Sequence, residues 1–268
     1  VLHRLYHQME VRHEAVRATV EYPEYIARFY DVIYAHLRTA DRDYFLRMIL
    51  ATKGPVLEIG VGTGRFFIDA LQNGADIYGV DLSETMLGQL RKKLGSEHHH
   101  RIFHQDACSL RLDRKFDLVL APFRMFSHLI EPDDQLRALN SVFDHLNPGG
   151  RFIFDLYVPD LSILLNGINE QVDFEGEYAP GKKLKRIVSA KSNLIRQVSS
   201  VMMTLTWDEE MGARTESWNF PMRFFFRYEL EHLVKRSHLS LRHIYGDYEE
   251  HELRSDSKDY VVVCERQK

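Results

Sequence analysis

Residues 56–65 read VLEIGVGTGR: an apolar, β-forming run containing one acid, Glu58, followed by Gly60, Gly62 and Gly64 at alternate positions. Glycines spaced this way keep side chains out of a sharp turn, so a ligand can come close to the backbone. Two more acids close later strand-like runs: Asp81 ends YGVD, about twenty residues beyond the turn, the return distance of one βα unit. Asp106 ends IFHQD. An ionised carboxylate at Asp81 can accept hydrogen bonds from a pair of ribose hydroxyls. Residues 121–129, APFRMFSHL, then gather Arg124, Ser127 and His128 among aromatic neighbours. A histidine there can take a proton, orient a nucleophile or simply pack, and Arg124 offers a fork for a carboxylate or phosphate, or pairs with a surface acid.

For these groups to meet, the elements carrying them must end on one edge. Apolar strands and amphipathic helices alternate as VLEI, a helix near 64–73, DIYGVD, a helix near 84–94, RIFHQD, FDLVLAP, a helix near 133–146 and RFIFDLY. Such alternation predicts a parallel sheet covered by helices on both faces, an α/β fold of three layers. NPGG at 147–150 supplies the Pro and glycines that stop the last helix. Residues 1–50 read as helical, with Tyr22, Ile26, Phe29, Tyr30, Ile33 and Leu37 at helical spacing. From about 160 to 226 the pattern changes to strands without helices: KKLKRIVSA, IRQVSSVMMTLTW and TESWNFPMRFFF. In the last of these, Trp218, Phe220, Met222, Phe224 and Phe226 share one face, and Pro221 predicts an edge strand or a bulge. The helix RYELEHLVKRS and the strands LSLRHIYG and DYVVVCER complete the chain.

Composition narrows the function. A formal net charge of -4 over 268 residues gives no electrostatic case for nucleic acid or an anionic membrane surface. No window reaches the length of apolar sequence needed to span a bilayer, and the polar start VLHRLYHQMEVRHEAVR does not read as a secretory core, so a cytoplasmic location is expected. Cys108 and Cys264 lack CxxC spacing and read as small apolar residues, not as a disulfide or metal framework. The triple histidine 98–100 reads as a solvated loop.

Two cofactor classes use a glycine turn after the first strand of such a sheet. The dinucleotide fingerprint needs a third glycine where this chain has Arg65, which weighs against a nicotinamide dehydrogenase. The GxGxG turn with Glu58 ahead of it, Asp81 ending the second strand, Asp106 ending the third, and the runs KFDLVLAP and LNPGGRFIFDLY together resemble the class I S-adenosylmethionine-dependent methyltransferases over residues 55–157. The resemblance implies a Rossmann-like sheet, mostly parallel with a late antiparallel strand, DYVVVCER being the candidate. It also implies that Glu58, Gly60, Gly62, Gly64 and Asp81 hold the cofactor's methionine and ribose parts. Leu82 and Met86 would pack on adenine, Asp106 and Ala107 would bond it, and Ala121 would face the methionine end.

The loop at 121–129 is similar to that of bacterial amino-sugar N-methyltransferases, in which an aromatic is followed by a His-Leu pair, here Phe123, His128 and Leu129. Arg124 departs from the small or polar residue of those enzymes. YIARFYDVIY at 25–34 resembles the family's first helices, which fold over the cofactor as a lid, with Tyr30 as the best match and Tyr25 and Tyr34 beside it. The expectation is therefore a lid at 1–50, a methyltransferase core at 51–160 and 227–268, and an antiparallel insertion at 161–226 forming an acceptor-pocket wall or a homodimer surface. His128 and Tyr30 are the candidate catalytic residues, and Arg124, Ser127 and Tyr25 the candidate acceptor contacts. Methyl transfer to a small molecule, at nitrogen in preference to oxygen or carbon, is the expected activity; a non-catalytic sensor of the cofactor or its demethylated product is the alternative outside enzymes.

Overall fold

The computed structural model describes residues 21–35 and 39–267; residues 1–20 of the expected lid, and Leu37, lie outside them. Two helices come first, α1 (Glu24–Tyr34) and α2 (Thr39–Ala51). The alternating core follows as β1 (Val56–Ile59), α3 (Phe67–Gln72), β2 (Ile77–Asp81), α4 (Glu84–Lys93), β3 (Ile102–His104), β4 (Phe116–Ala121), α5 (Pro132–His145) and β5 (Leu146–Tyr157). After a short α6 (Leu161–Asn166), four long strands succeed one another: β6 (Ile168–Ala179), β7 (Lys182–Asn193), β8 (Val198–Glu209) and β9 (Gly212–Arg223). Helix α7 (Arg227–Arg236) and strands β10 (Ser240–Tyr245) and β11 (Asp259–Glu265) complete the described chain.

The main sheet has the order β10-β11-β5-β4-β1-β2-β3. Strands β1 to β5 run parallel, and β11 runs antiparallel between β5 and β10. This is the Rossmann-like arrangement expected, with DYVVVCER as the reversed strand. Because side chains alternate across a strand, β4 sends Val119 and Ala121 into one apolar layer and Leu118 and Leu120 into the other. Burial of both faces is what makes VLEI apolar at nearly every position, and its one acid correspondingly costly. Ser83 caps α4 as its sequence position suggests, its hydroxyl accepting from the Met86 amide at 3.2 Å. Among the described residues no helix is long and apolar enough to cross a membrane.

The second sheet has the order β6-β7-β8-β9 and is antiparallel throughout. Strand β6 escapes the sequence pattern because it is an edge strand with mostly exposed, acid-rich positions. Strand β9 forms the other edge, where Pro221 needs no inward donor. The apolar alternation of this strand holds only through Met222: beyond its end Phe225 is fully buried and Phe226 is 44% exposed. Within KKLKR, Leu184 and Arg186 turn inward and are buried.

The two faces of this sheet differ in chemistry. On the outer face, Ser200 pairs with Asn219, Thr204 with Ser217 and Thr206 with Thr215 through side-chain hydrogen bonds of 2.8, 2.8 and 3.0 Å. On the inner face, Ile26, Phe29 and Ile33 of α1 close over Leu184, Leu205 and Trp207. Helix α1 thus bridges the insertion and the parallel core.

Candidate active site

A cavity of about 2060 Å³ runs from the glycine turn to the inner face of the second sheet. Gly60, Gly62, Asp81, Leu82, Met86, Asp106 and Ala107 line one part of it. They meet because β1, β2 and β3 are adjacent and parallel, so their C-terminal ends share an edge. Asp81 braces the turn: its carboxylate oxygens accept from the Gly62 amide at 2.7 Å and the Ser83 amide at 2.8 Å. Burial pushes the Asp81 pKa up, opposed by those two backbone donors. Asp106 accepts from the Cys108 amide at 2.8 Å through Oδ1 and so shapes its own turn.

The glycines serve different neighbours. At Gly60, with φ of +73°, a Cβ would stand 2.5 Å from Met125 Cγ. At Gly64, with φ of +88°, a Cβ would stand 2.4 Å from Leu90 Cδ1, and this residue lies off the cavity. Its bareness admits α4. Glu58 also lies off the cavity, 1% exposed, with Oε2 lacking a hydrogen-bond partner. Burial, and then the charge of Asp81, hold its pKa well above the usual carboxylate value, against the pull of Arg65.

The structure separates several sequence candidates from the cavity. Ala121 is fully buried within the sheet, and Pro122 and Phe123 form the wall at that point. Tyr25 turns away and stacks on Trp207 at a centroid distance of 5.7 Å. Arg124 touches the cavity but is 4% exposed, pairing with Asp155 at 2.8 Å and with Asp259. Its guanidinium ties β5 to β11. Phe123 and Arg124 both have positive φ, +60° and +61°, a strained pair for residues with side chains.

Ser127 and His128 do line the cavity, as do Tyr30 and Tyr34. His128 lies 5.9 Å from Phe220 and 6.4 Å from Tyr22, ring centre to ring centre, and its Nδ1 is buried without a hydrogen-bond partner. Burial lowers its pKa to about 4. The ring is therefore neutral at pH 7. Tyr30, 4.7 Å from Tyr34, has its pKa raised well above 10 by burial and by neighbouring Tyr22 and Tyr34, so it remains a phenol.

Other residues around the site carry no local sequence signal. Thr63 Oγ1 donates to Asp31 Oδ1 of α1 at 2.6 Å, and Arg65 pairs with Asp41 of α2 at 2.9 Å. Glu21 accepts from the Ser83 hydroxyl at 2.8 Å and the Thr85 amide at 3.0 Å, capping α4 from outside. Arg186 is held by Asp173 at 2.7 and 2.8 Å and donates to the Tyr34 hydroxyl at 2.8 Å. Only tertiary structure joins partners so far apart in the chain.

Residues 56–150 match the family described as "Methyltransferase domain". The "Putative methyltransferase YqeM" of Bacillus subtilis (strain 168) is 29% identical over 132 residues, 49% of this chain and 53% of that protein. The "dTDP-3-amino-3,4,6-trideoxy-alpha-D-glucopyranose N,N-dimethyltransferase" of Streptomyces venezuelae is 33% identical over 95 residues, 35% of this chain and 39% of that protein. The chain thus spans about half the length of the curated relatives it matches, or less. A crystal structure of a S-adenosylmethionine-dependent methyltransferase from Clostridium acetobutylicum ATCC 824 covers 91% of this chain and 98% of its own, with a TM-score of 0.76 at 18% identity, a likeness of fold. Residues 56–150 thus carry a methyltransferase domain, and the chain around them is similar in fold to a S-adenosylmethionine-dependent methyltransferase.

Proposed function

We propose that the protein transfers the methyl group of S-adenosylmethionine to the nitrogen of a small-molecule amine. The observation that carries this reading is that His128, with a buried and unpartnered Nδ1, opens onto the same cavity as Asp81 and Asp106. The donor set around the glycine turn fits the cofactor. Asp81 uses its carboxylate on two amides and keeps lone pairs for ribose hydroxyls. Asp106 and the Ala107 amide suit adenine, Leu82 and Met86 its apolar faces, and Gly60 and Gly62 leave room for the methionine part. When bound, the cofactor supplies an electrophilic methyl carbon on a positively charged sulfonium.

The protein's share is positioning and exclusion of water. Tyr22, Tyr30 and Tyr34 present aromatic surface to that end of the cavity, where ring faces attract a cation. His128, protonated on its buried Nδ1 alone, accepts an N–H of the acceptor at Nε2 and turns the nitrogen lone pair toward the methyl carbon. The acceptor nitrogen would bond the methyl carbon as that carbon's bond to sulfur breaks, and the alkylated nitrogen would give its proton to solvent. A group with a pKa of about 4 does not deprotonate an ammonium, so the acceptor enters as free base. The same weakness favours nitrogen over a hydroxyl acceptor, which has to lose its proton to attack well. The N,N-dimethyl activity named for the Streptomyces relative supports the same choice.

Calorimetric titration with S-adenosylmethionine and with NAD, followed by mass spectrometry of matched amine and phenol panels, tests this. Binding of S-adenosylmethionine and a gain of one methylene mass on amines are expected. Binding of NAD alone, or methylation confined to phenols, overturns it.

A further inference from the structure

We infer that the acceptor's amine is carried on a large apolar body, which lies on the part of the second sheet's inner face that lines the cavity. This rests on the amine-methylation reading above and names the kind of molecule methylated. The register places Val188, Met203 and Trp218 side by side in one row, and Ala190, Val201 and Phe220 in the next. All six line the cavity. Helix α1 covers the adjoining end of the same face through Leu184, Leu205 and Trp207; Met203 and Trp218 pack against the edge of that cluster, and Val188, Ala190, Val201 and Phe220 lie outside it. The sheet's outer face instead carries the hydroxyl and amide pairs, among which Met202 is exposed.

Three observations commit this surface to the acceptor. It is continuous with the chemistry: Phe220 lies 5.9 Å from His128, and Trp218 lies 4.7 Å from Tyr22, which in turn meets Tyr30. An amine held at His128 therefore has its body against these rows. The space is ample, since about 2060 Å³ exceeds the roughly 300–1,000 Å³ of an ordinary ligand pocket and leaves a second, large ligand room beside a nucleoside cofactor. The cavity's buried cations are already neutralised. Arg186 is clasped by Asp173, and Arg124 by Asp155 and Asp259. Nearer the rim, Arg223 pairs with Glu229 at 2.9 Å and Arg196 with Glu131 at 3.5 Å. A sugar nucleotide's diphosphate would have to break such pairs or rest on exposed Lys258 at the mouth. Burying apolar surface on the two rows needs no such exchange.

The test is a series of primary amines of growing apolar body, namely ethanolamine, butylamine, 2-phenylethylamine and 1-naphthylmethylamine, with glucosamine and thymidine diphosphate as contrasts. S-adenosylhomocysteine release gives KM, and quenching of tryptophan fluorescence gives binding without turnover. KM is expected to fall at least tenfold from ethanolamine to 1-naphthylmethylamine. Met203→Glu and, separately, Val201→Asn are expected to raise KM for the naphthyl amine at least tenfold while calorimetric affinity for S-adenosylmethionine stays at the wild-type value. A flat series, absence of both quenching and turnover with the apolar amines, preference for glucosamine, or competition of thymidine diphosphate with the amine overturns the inference. Failure of S-adenosylmethionine itself to bind is a different result and removes the methyl-transfer reading; quenching by the naphthyl amine without methylation keeps the apolar site and removes amine methylation.

Discussion

Thr63, inside the glycine turn, donates its hydroxyl to Asp31 on α1 across 2.6 Å, so the turn is fastened to the helix lying over it. The second oxygen of Asp31 takes Lys93 from the end of α4 at 2.7 Å. One side chain of the cover thus holds both the loop and the helix that follow β1 and β2. Asp31→Ala is expected to weaken the docking of α1 by about 1 kcal/mol, roughly fivefold in an equilibrium constant. Faster amide exchange along α1 and faster release of S-adenosylmethionine in stopped-flow are the readouts. Unchanged exchange would mean that the apolar face of α1 suffices by itself.

Asp81→Ala removes the charged acceptor for ribose and one brace of the Gly62 amide. A loss of about 1.5–3 kcal/mol in S-adenosylmethionine binding is expected, the scale of charged hydrogen bonds. Calorimetry on the folded variant decides it, and wild-type affinity would take Asp81 out of the cofactor site.

His128 makes a pH-dependent contribution whose sign follows from burial. Its folded pKa lies near 4, against about 6.5 in an unfolded chain, so between those values the unfolded chain takes up a proton the folded one refuses. This contribution is intact above pH 6.5 and is lost as pH falls toward 4. His128→Asn should flatten that part of the melting-temperature profile. Its kcat/KM should drop by about tenfold, the scale of a lost orienting hydrogen bond to the acceptor. The wild-type pH–rate profile should follow the acceptor's own pKa. An inflection at pH 6–7 that vanishes in the variant would show His128 acting as a base.

Glu58 carries the opposite sign. Its folded pKa is raised, so the folded protein retains a proton that the unfolded chain gives up, and stability falls as pH rises above about 4.5. Glu58→Gln should therefore melt higher than wild type at pH 7–8 without cofactor, with the two converging near pH 4. A variant melting lower at pH 8 would show that the charged carboxylate has a stabilising partner.

Arg124→Met leaves Asp155 and Asp259 without their buried cation. Breaking such a pair from one side costs about 3–5 kcal/mol, so denaturant unfolding should show a loss of that size. Turnover per folded molecule should keep the wild-type acceptor KM. A raised KM with unchanged stability would restore Arg124 as an acceptor-binding residue.

The sequence by itself determined the parallel core, its reversed last strand and the glycine turn with Asp81 and Asp106 on one edge. Each of these rests on short-range rules: the periods of strand and helix, a turn that excludes side chains, and a βα repeat that returns the chain to the same edge. His128 and Tyr30 were visible as residues at such an edge, without their surroundings. Only the tertiary structure decided that Arg124 is spent on Asp155 and Asp259, that Tyr25 stacks on Trp207, and that Asp31 grips Thr63. It also decided which face of β7, β8 and β9 looks into the cavity. Alternation along a strand separates two faces but does not say what covers either, and an ion pair across the fold leaves no periodic trace in the chain. Burial, which lowers the pKa of His128 and raises that of Glu58, arises only when segments distant in sequence exclude water together.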